Sequence, residues 1–154
     1  MRFLELRIPP PLVGLIIAAA MWVIASWLRP LLPLPVSIRL PTAVFLALAG
    51  AAIALSGVIS FRRAQTTVNP LKPETATSLV SKGIYRITRN PMYLGMLAVL
   101  LAWAAYLPSA WALFGPVAFA LYITRFQIIP EEKALHSLFG PAFLEYTARV
   151  RRWL

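Results

Sequence analysis

The chain has 154 residues, 60% of them hydrophobic and 13% charged, with a mean hydropathy of +0.74. That leaves too little polar surface for a soluble domain of this length, and reads instead as one all-α integral membrane domain, residues 1–154, with room for about four spans of ~20 residues each. The absence of cysteine excludes disulfides and thiolate chemistry, a single histidine leaves no structural zinc set, and the net charge of +10 lies beside apolar segments, which points to membrane lipid headgroups and not to nucleic acid.

Taken in chain order, Arg2 and Arg7 precede an apolar run at residues 12–28. The run resembles a signal peptide, but Trp27, Leu28, Arg29 and Pro30 follow it where small residues would mark cleavage, so it reads as a retained first span. The prolines at 30, 33, 35 and 41 predict a connection too broken to be helical. A second span is expected at 41–60, with Gly50, Ala54 and Gly57 spaced so that a neighbouring helix can approach closely. Residues 61–90 form the one long polar loop. Spans three and four, 91–107 and 109–129, are separated by little more than Pro108 and form a tight hairpin, with Pro116 expected to kink the fourth. Residues 130–150 read as an amphipathic helix, because Leu135, Leu138, Phe139, Ala142, Phe143, Tyr146 and Val150 recur at three- and four-residue spacing; Gly140-Pro141 stands where it would break.

Charge sets the expected orientation. With four spans, Arg2, Arg7, Arg62, Arg63, Lys72, Lys82, Arg86, Arg89, Arg125, Lys133, Arg149, Arg151 and Arg152 share one side, and only Arg29 and Arg39 take the other. Both termini and the loop are therefore expected in the cytoplasm.

Three groups of residues carry the possible chemistry. Pro130-Glu131-Glu132 suits a helix N-terminus, where proline fits the first turn and acids meet the positive end of the dipole; alternatively a glutamate turns inward to hold a cationic or hydroxyl-bearing ligand. Arg89-Asn90-Pro91 reads as a cap and helix start, with Arg86 and Arg89 reaching headgroups, Tyr85 and Tyr93 in an aromatic belt and Gly95 at a helix contact. Arg125, in the last turn of span four, either snorkels or is a buried cation that fixes an anionic substrate group. His136 reads as an ordinary interfacial side chain, and there is no catalytic triad, HExxH, CxxC, GxGxxG or Walker loop.

Two stretches in order, SLVSKGIYRITRNPMYLG at 78–95 and RFQIIPEEKALHSLFGPAFLEYTARVRRWL at 125–154, resemble the isoprenylcysteine carboxyl methyltransferase family, which is related to the phospholipid N-methyltransferases. The shared pattern is Gly-x-Tyr, then Arg-Asn-Pro with Tyr and Gly, a hairpin of spans, then Glu-Glu, Phe-Gly, Tyr and a basic end; it covers about the last 90 residues. The resemblance implies methyl transfer from S-adenosylmethionine to a lipophilic acceptor, in a prokaryotic inner or plasma membrane with the active site cytoplasmic. It implies a cofactor pocket of Thr77, Ser78, Leu79, Val80, Tyr85, Asn90, Pro91, Met92, Tyr93 and Glu131, with Arg125, Asn90 and Glu131 as candidate catalytic residues and no metal. Aromatic and acidic surroundings suit a sulfonium cation, and in-line displacement needs alignment more than acid–base groups. Two departures stand out: Asn90 occupies a position where many members carry His, and Gln127 aligns with an arginine that contacts substrate in the eukaryotic enzymes. The alternatives are phospholipid amine N-methylation, a non-catalytic small membrane protein, and a membrane reductase of the sterol-reductase type, which has more spans than this chain.

Overall fold

The computed structural model describes residues 5–28, 34–65, 71 and 73–154. Arg2, Arg29, Pro30, Pro33 and Lys72, which entered the reading above, lie outside the described residues. Five α-helices account for most of the described residues: α1 (Pro10–Trp27), α2 (Val36–Arg63), α3 (Pro91–Tyr106), α4 (Phe114–Ile123) and α5 (Ile129–Arg149). Short 3-10 turns occur at Pro73–Thr75, Gly83–Arg86 and Ala110–Leu113, and a π turn, Thr124–Ile128, joins α4 to α5. Among the described residues there is no strand; Thr88 and Arg151 make one isolated parallel bridge.

Prolines start these helices where the sequence places them. Pro10 and Pro91 stand at the first position of α1 and α3, where an N–H would have no helical partner, and Pro130 stands at the second position of α5, directly after the π turn. Pro41 departs from expectation. It lies inside α2, which begins five residues earlier at Val36, so the helix runs through this proline instead of starting at it. One missing backbone donor near a helix start is tolerated when the rest of a 28-residue helix holds the geometry. At ~1.5 Å per residue α2 is about 42 Å long, beyond the ~30 Å hydrocarbon core, and its last turn carries Arg62 and Arg63.

Among the described residues three helical runs are long and apolar enough to cross a membrane: Pro10–Trp27, Val36–Arg63 and Ala110–Arg149, the last comprising a 3-10 turn, α4, the π turn and α5. Helix α3, with 16 residues, is a shorter apolar helix. The outer surface carries many large apolar side chains: Leu15, Trp22, Phe45, Leu48, Phe114 and Leu121 are all exposed. That surface is stable only against lipid, and it defines a membrane protein.

Lipid is as apolar as a leucine side chain, so close packing and not apolar burial holds such helices together. The α2–α3 contact shows how. A Cβ on Gly95 would lie 2.5 Å from the Gly50 carbonyl oxygen and 2.7 Å from the Ala54 Cβ, so the two backbones meet where both helices carry small residues. Gly57 receives Pro91 and Met92 in the same way, the nearest side-chain atom 3.0 Å from a notional Cβ. The expected small-residue face at 50, 54 and 57 is therefore the seat of α3. On the other side of α3, Phe119 and Ile123 of α4 are fully buried against Val13 and Met21 of α1, and Trp103 donates its indole N–H to the Ala18 carbonyl at 3.0 Å.

Pro116 falls in the first turn of α4, immediately after the 3-10 turn, so the irregularity precedes the proline. Gly140 takes φ +47° and breaks α5 at the expected Gly140-Pro141 pair. Its C-terminal half packs Phe143, Tyr146 and Val150 together with Leu79.

Candidate active site

The sequence offers a carboxylate pair in the first turn of α5, a tyrosine at the third position of α3, and the polar stretch before it. The fold joins them at one end of the bundle. The hydroxyl of Tyr93, buried at 7% exposure, donates to Glu131 Oε1 at 2.5 Å. Gln127, at 2% exposure, donates from Nε2 to the same oxygen at 2.9 Å. The partly buried Glu131 is therefore turned inward, and the reading in which a glutamate faces the interior describes its geometry. Gln127 lies within the π turn, and Glu131 stands four residues on, in the first turn of α5. The extra residue of the π turn, marked by the Ile129 N–H reaching back to the Thr124 carbonyl, sets which side chains look at α3.

Tyr85, on the Gly83–Arg86 turn, is buried beside them. Gly83 opens this turn at φ +64°, a conformation glycine adopts without strain. Burial, reinforced by Tyr146 and by the charge of Glu131, holds the Tyr85 phenol neutral, far above its ordinary pKa. Its ring meets Phe61 edge-on at 5.4 Å, and its carbonyl accepts the Tyr146 hydroxyl at 2.8 Å, which ties this turn to α5.

Glu132 points elsewhere. It pairs with Arg89 at 3.1 Å and with Arg152, whose Nη2 reaches Oε2 at 2.7 Å. That hydrogen bond keeps Arg152 more firmly protonated than usual. The segment after α5 is laid along residues 88–90: the Arg89 N–H donates to the Arg151 carbonyl at 3.0 Å, and the Asn90 Nδ2 donates to the Arg152 carbonyl at 2.8 Å. Asn90 occupies the N-cap position of α3, but its side chain does not cap the helix; it holds the terminal segment instead. Thr88, fully buried, accepts the Asn90 N–H at 3.2 Å.

The remaining sequence candidates divide by place. Thr77 and Ser78 donate to the carbonyls of Gln65 and Ala64, at 3.4 and 3.2 Å, and so sit at the C-terminal end of α2. Leu79 packs on the Phe143–Tyr146 cluster and Val80 is buried. Pro91 and Met92 face Gly57 of α2. Arg125 does not turn toward Glu131: its Nη1 pairs with Glu5 at 2.8 Å, and its guanidinium lies over the Phe126 ring. Gln127, which sequence reasoning noted only as a departure, takes the inward place. No group of three or more potential metal-ligating side chains occurs among the described residues.

Glu131 held by a phenol and an amide, Glu132 paired with Arg89 and Arg152, and the buried ring of Tyr85 form a polar cluster at the end of an otherwise apolar bundle. Such a donor set suits a ligand that bears positive charge and hydroxyl or amino hydrogens. The fold is that of a membrane protein with an inward-facing polar cluster at one end of its helices. Residues 38–142 match the family model for phospholipid methyltransferases, and the chain belongs to that family. Its members transfer methyl groups, so a methyl donor is required.

The relatives agree. Over 104 residues the chain is 34% identical to protein-S-isoprenylcysteine O-methyltransferase A of Arabidopsis thaliana, covering 66% of this chain and 51% of that protein. Over 98 residues it is 32% identical to form B of the same plant enzyme, covering 62% and 48%. The chain thus spans about half the length of these two curated relatives. An uncharacterised protein of Haemophilus influenzae is 46% identical over 63 residues, which is all of that protein and 41% of this chain. No solved structure matches the chain.

Proposed function

We propose that the protein transfers the methyl group of S-adenosylmethionine to a lipophilic acceptor, with an isoprenylcysteine-type carboxylate as the first candidate. The observation that carries this reading is the inward-facing Glu131, held by Tyr93 and Gln127 within the stretch that resembles the isoprenylcysteine methyltransferases. The donor supplies a methyl group on a positively charged sulfur. Glu131 accepts hydrogen bonds from its amino or hydroxyl groups, the rings of Tyr85 and Tyr93 favour its cation, and residues 77–80 and 90–92 complete the walls. Tyr93 and Gln127 fix the carboxylate, which leaves alignment as the protein's main contribution to rate. A carboxylate acceptor is already ionised near neutral pH, so the chain need supply no general base for it.

In this reading the bundle makes four crossings, α3 included, with both termini, the polar loop and the pocket in the cytoplasm. The distribution of Lys and Arg supports that sidedness. The acceptor reaches the pocket from the bilayer.

A second acceptor, a phospholipid amine, is favoured by two observations. The matched family is that of the phospholipid methyltransferases, and the side chain beside Glu131 is the neutral Gln127 and not a cation that would attract a carboxylate. Purified protein in lipid, supplied with S-adenosylmethionine carrying a labelled methyl group, separates the two. Label in a farnesylcysteine analogue supports the carboxylate, label in phosphatidylethanolamine supports the amine, and label in neither, with the donor bound, overturns both acceptor assignments.

A further inference from the structure

Gln127 and Glu131, four residues apart, would share a face in any α-helix; the π turn at Thr124–Ile128 sets where that face points relative to α3, and a π turn is a less stable arrangement than the α-helix it interrupts. Something must hold it. Pro130 supplies part of the cause: it has no N–H, so the Phe126 carbonyl lacks its α-helical donor, and the proline ring crowds that same carbonyl. The structure shows what replaces the donor. The backbone N–H of Leu6, in the segment before α1, donates to the Phe126 carbonyl at 3.0 Å. Leu6 adopts φ +55° to do so, a conformation that a leucine occupies only when neighbouring contacts enforce it. The adjacent Glu5 pairs with Arg125 at 2.8 Å, and Ile8 packs against the core of the bundle. One residue earlier in the π turn, Thr124 accepts the Trp153 indole N–H at 3.1 Å. Consecutive residues of the turn are thus tied from outside at 124, 125 and 126, and the next, Gln127, points into the pocket.

We infer that Glu5 and Leu6 form a latch on the π turn that keeps Gln127 and Glu131 in register with Tyr93, so that Glu5 and Arg125 are positioning residues for the pocket. Arg125 then acts through the backbone of the turn and does not touch substrate. If the latch opens, the Phe126 carbonyl loses the donor that replaces the one Pro130 lacks and the turn loosens, which shifts Gln127 and Glu131 together out of register with Tyr93 and weakens the hydrogen bonds that fix the carboxylate. The consequence for methyl-donor binding rests on the function proposed above; the consequence for the turn does not.

The test compares the full-length protein in nanodiscs with Glu5→Gln, Arg125→Gln, Leu6→Pro and the charge-swapped pair Glu5→Arg/Arg125→Glu. Amide hydrogen exchange is read over residues 124–131, with the α2–α3 contact at Gly50 and Gly95 as the folding control. Loss of a partly exposed ion pair is expected to speed exchange in the turn by about two- to fivefold. Leu6→Pro, which removes the N–H and cannot take positive φ, should speed it further, and the swapped pair should restore protection. In parallel, calorimetry with S-adenosylmethionine should show donor binding weakened by about the same factor in the single variants and recovered in the swap. Unchanged exchange at 124–131 in both single variants and in Leu6→Pro overturns the latch. If the wild-type protein binds no donor while the exchange pattern is as expected, the latch stands and the proposed function fails.

Discussion

Replacing Gly95 with alanine tests the packing that positions the site. A Cβ there would lie 2.5 Å from the Gly50 carbonyl oxygen, 2.7 Å from the Ala54 Cβ and 2.8 Å from the Ala54 nitrogen. Two of these three atoms belong to the α2 backbone, so no side chain can swing aside and the helices must separate. Gly14, in α1, provides the internal comparison. Its notional Cβ meets only the ends of Met96 and Phe119, at 3.5 and 3.8 Å, which is ordinary contact. Both substitutions gain the same helix propensity, about 1 kcal/mol, so that term cancels between them. What remains is the overpacking at Gly95, about 1–3 kcal/mol. In a chain of this size that corresponds to a melting temperature lower by roughly 2–12 °C for Gly95→Ala than for Gly14→Ala. Thermal unfolding in one detergent, followed by tryptophan fluorescence, reads the difference. Tyr93 lies two residues from Gly95, so the same variant should also weaken ligand binding in the pocket. Equal melting temperatures for the two variants would refute the argument that backbone contact sets the α2–α3 distance.

Three other outcomes follow from the site. Tyr93→Phe removes the closest donor to Glu131 and should slow methyl transfer roughly tenfold, the size of a lost hydrogen bond to a charged group; the same loss should lower the melting temperature by a few degrees (~2–8 °C), and a wild-type rate would place Tyr93 outside the site. Gln127→Leu keeps the volume but leaves Glu131 with one donor, so donor affinity should fall by a comparable factor, whereas an isosteric Gln127→Glu sets two acids together and should be worse. Glu132→Gln leaves Arg89 and Arg152 without their shared carboxylate and should cost about 1–2 kcal/mol of stability, discounted for the exposure of Arg152; a melting point matching wild type would mean that the terminal segment is held by its backbone bonds alone.

Hydropathy made most of the helices legible, because a span is a statement about composition: α1 and α3 lie within two residues of the expected limits. The small-residue face of α2 was legible for the same reason that it works, since only small side chains admit a second backbone. The second span began earlier than expected because proline is excluded from a helix only where its missing N–H and its ring cannot be accommodated, and Pro41 near the start of α2 can be. The site was half visible. Glu131 and Tyr93 stood out as polar groups at apolar boundaries. The facing of Arg125 and Gln127 did not, because both lie in the π turn, and one extra residue in a turn rotates every following side chain by about 100°. Nor did Asn90 disclose its partner. Asparagine before proline is a strong capping signal, but a carbonyl of residue 152, brought alongside by the Glu132 pairs, competes for the side chain and wins. Contacts between residues some 60 positions apart leave no periodicity to read.

The central claim is that the Glu131 pocket holds the methyl donor. Calorimetric titration of S-adenosylmethionine into the purified protein tests it most directly, with Glu131→Gln beside Glu145→Gln, a variant of an exposed glutamate on α5 paired only with Arg149. The account predicts saturable binding to the wild type and to Glu145→Gln, and binding lost or weakened at least tenfold in Glu131→Gln. Donor binding that is absent from the wild type, or undiminished by Glu131→Gln, would contradict it.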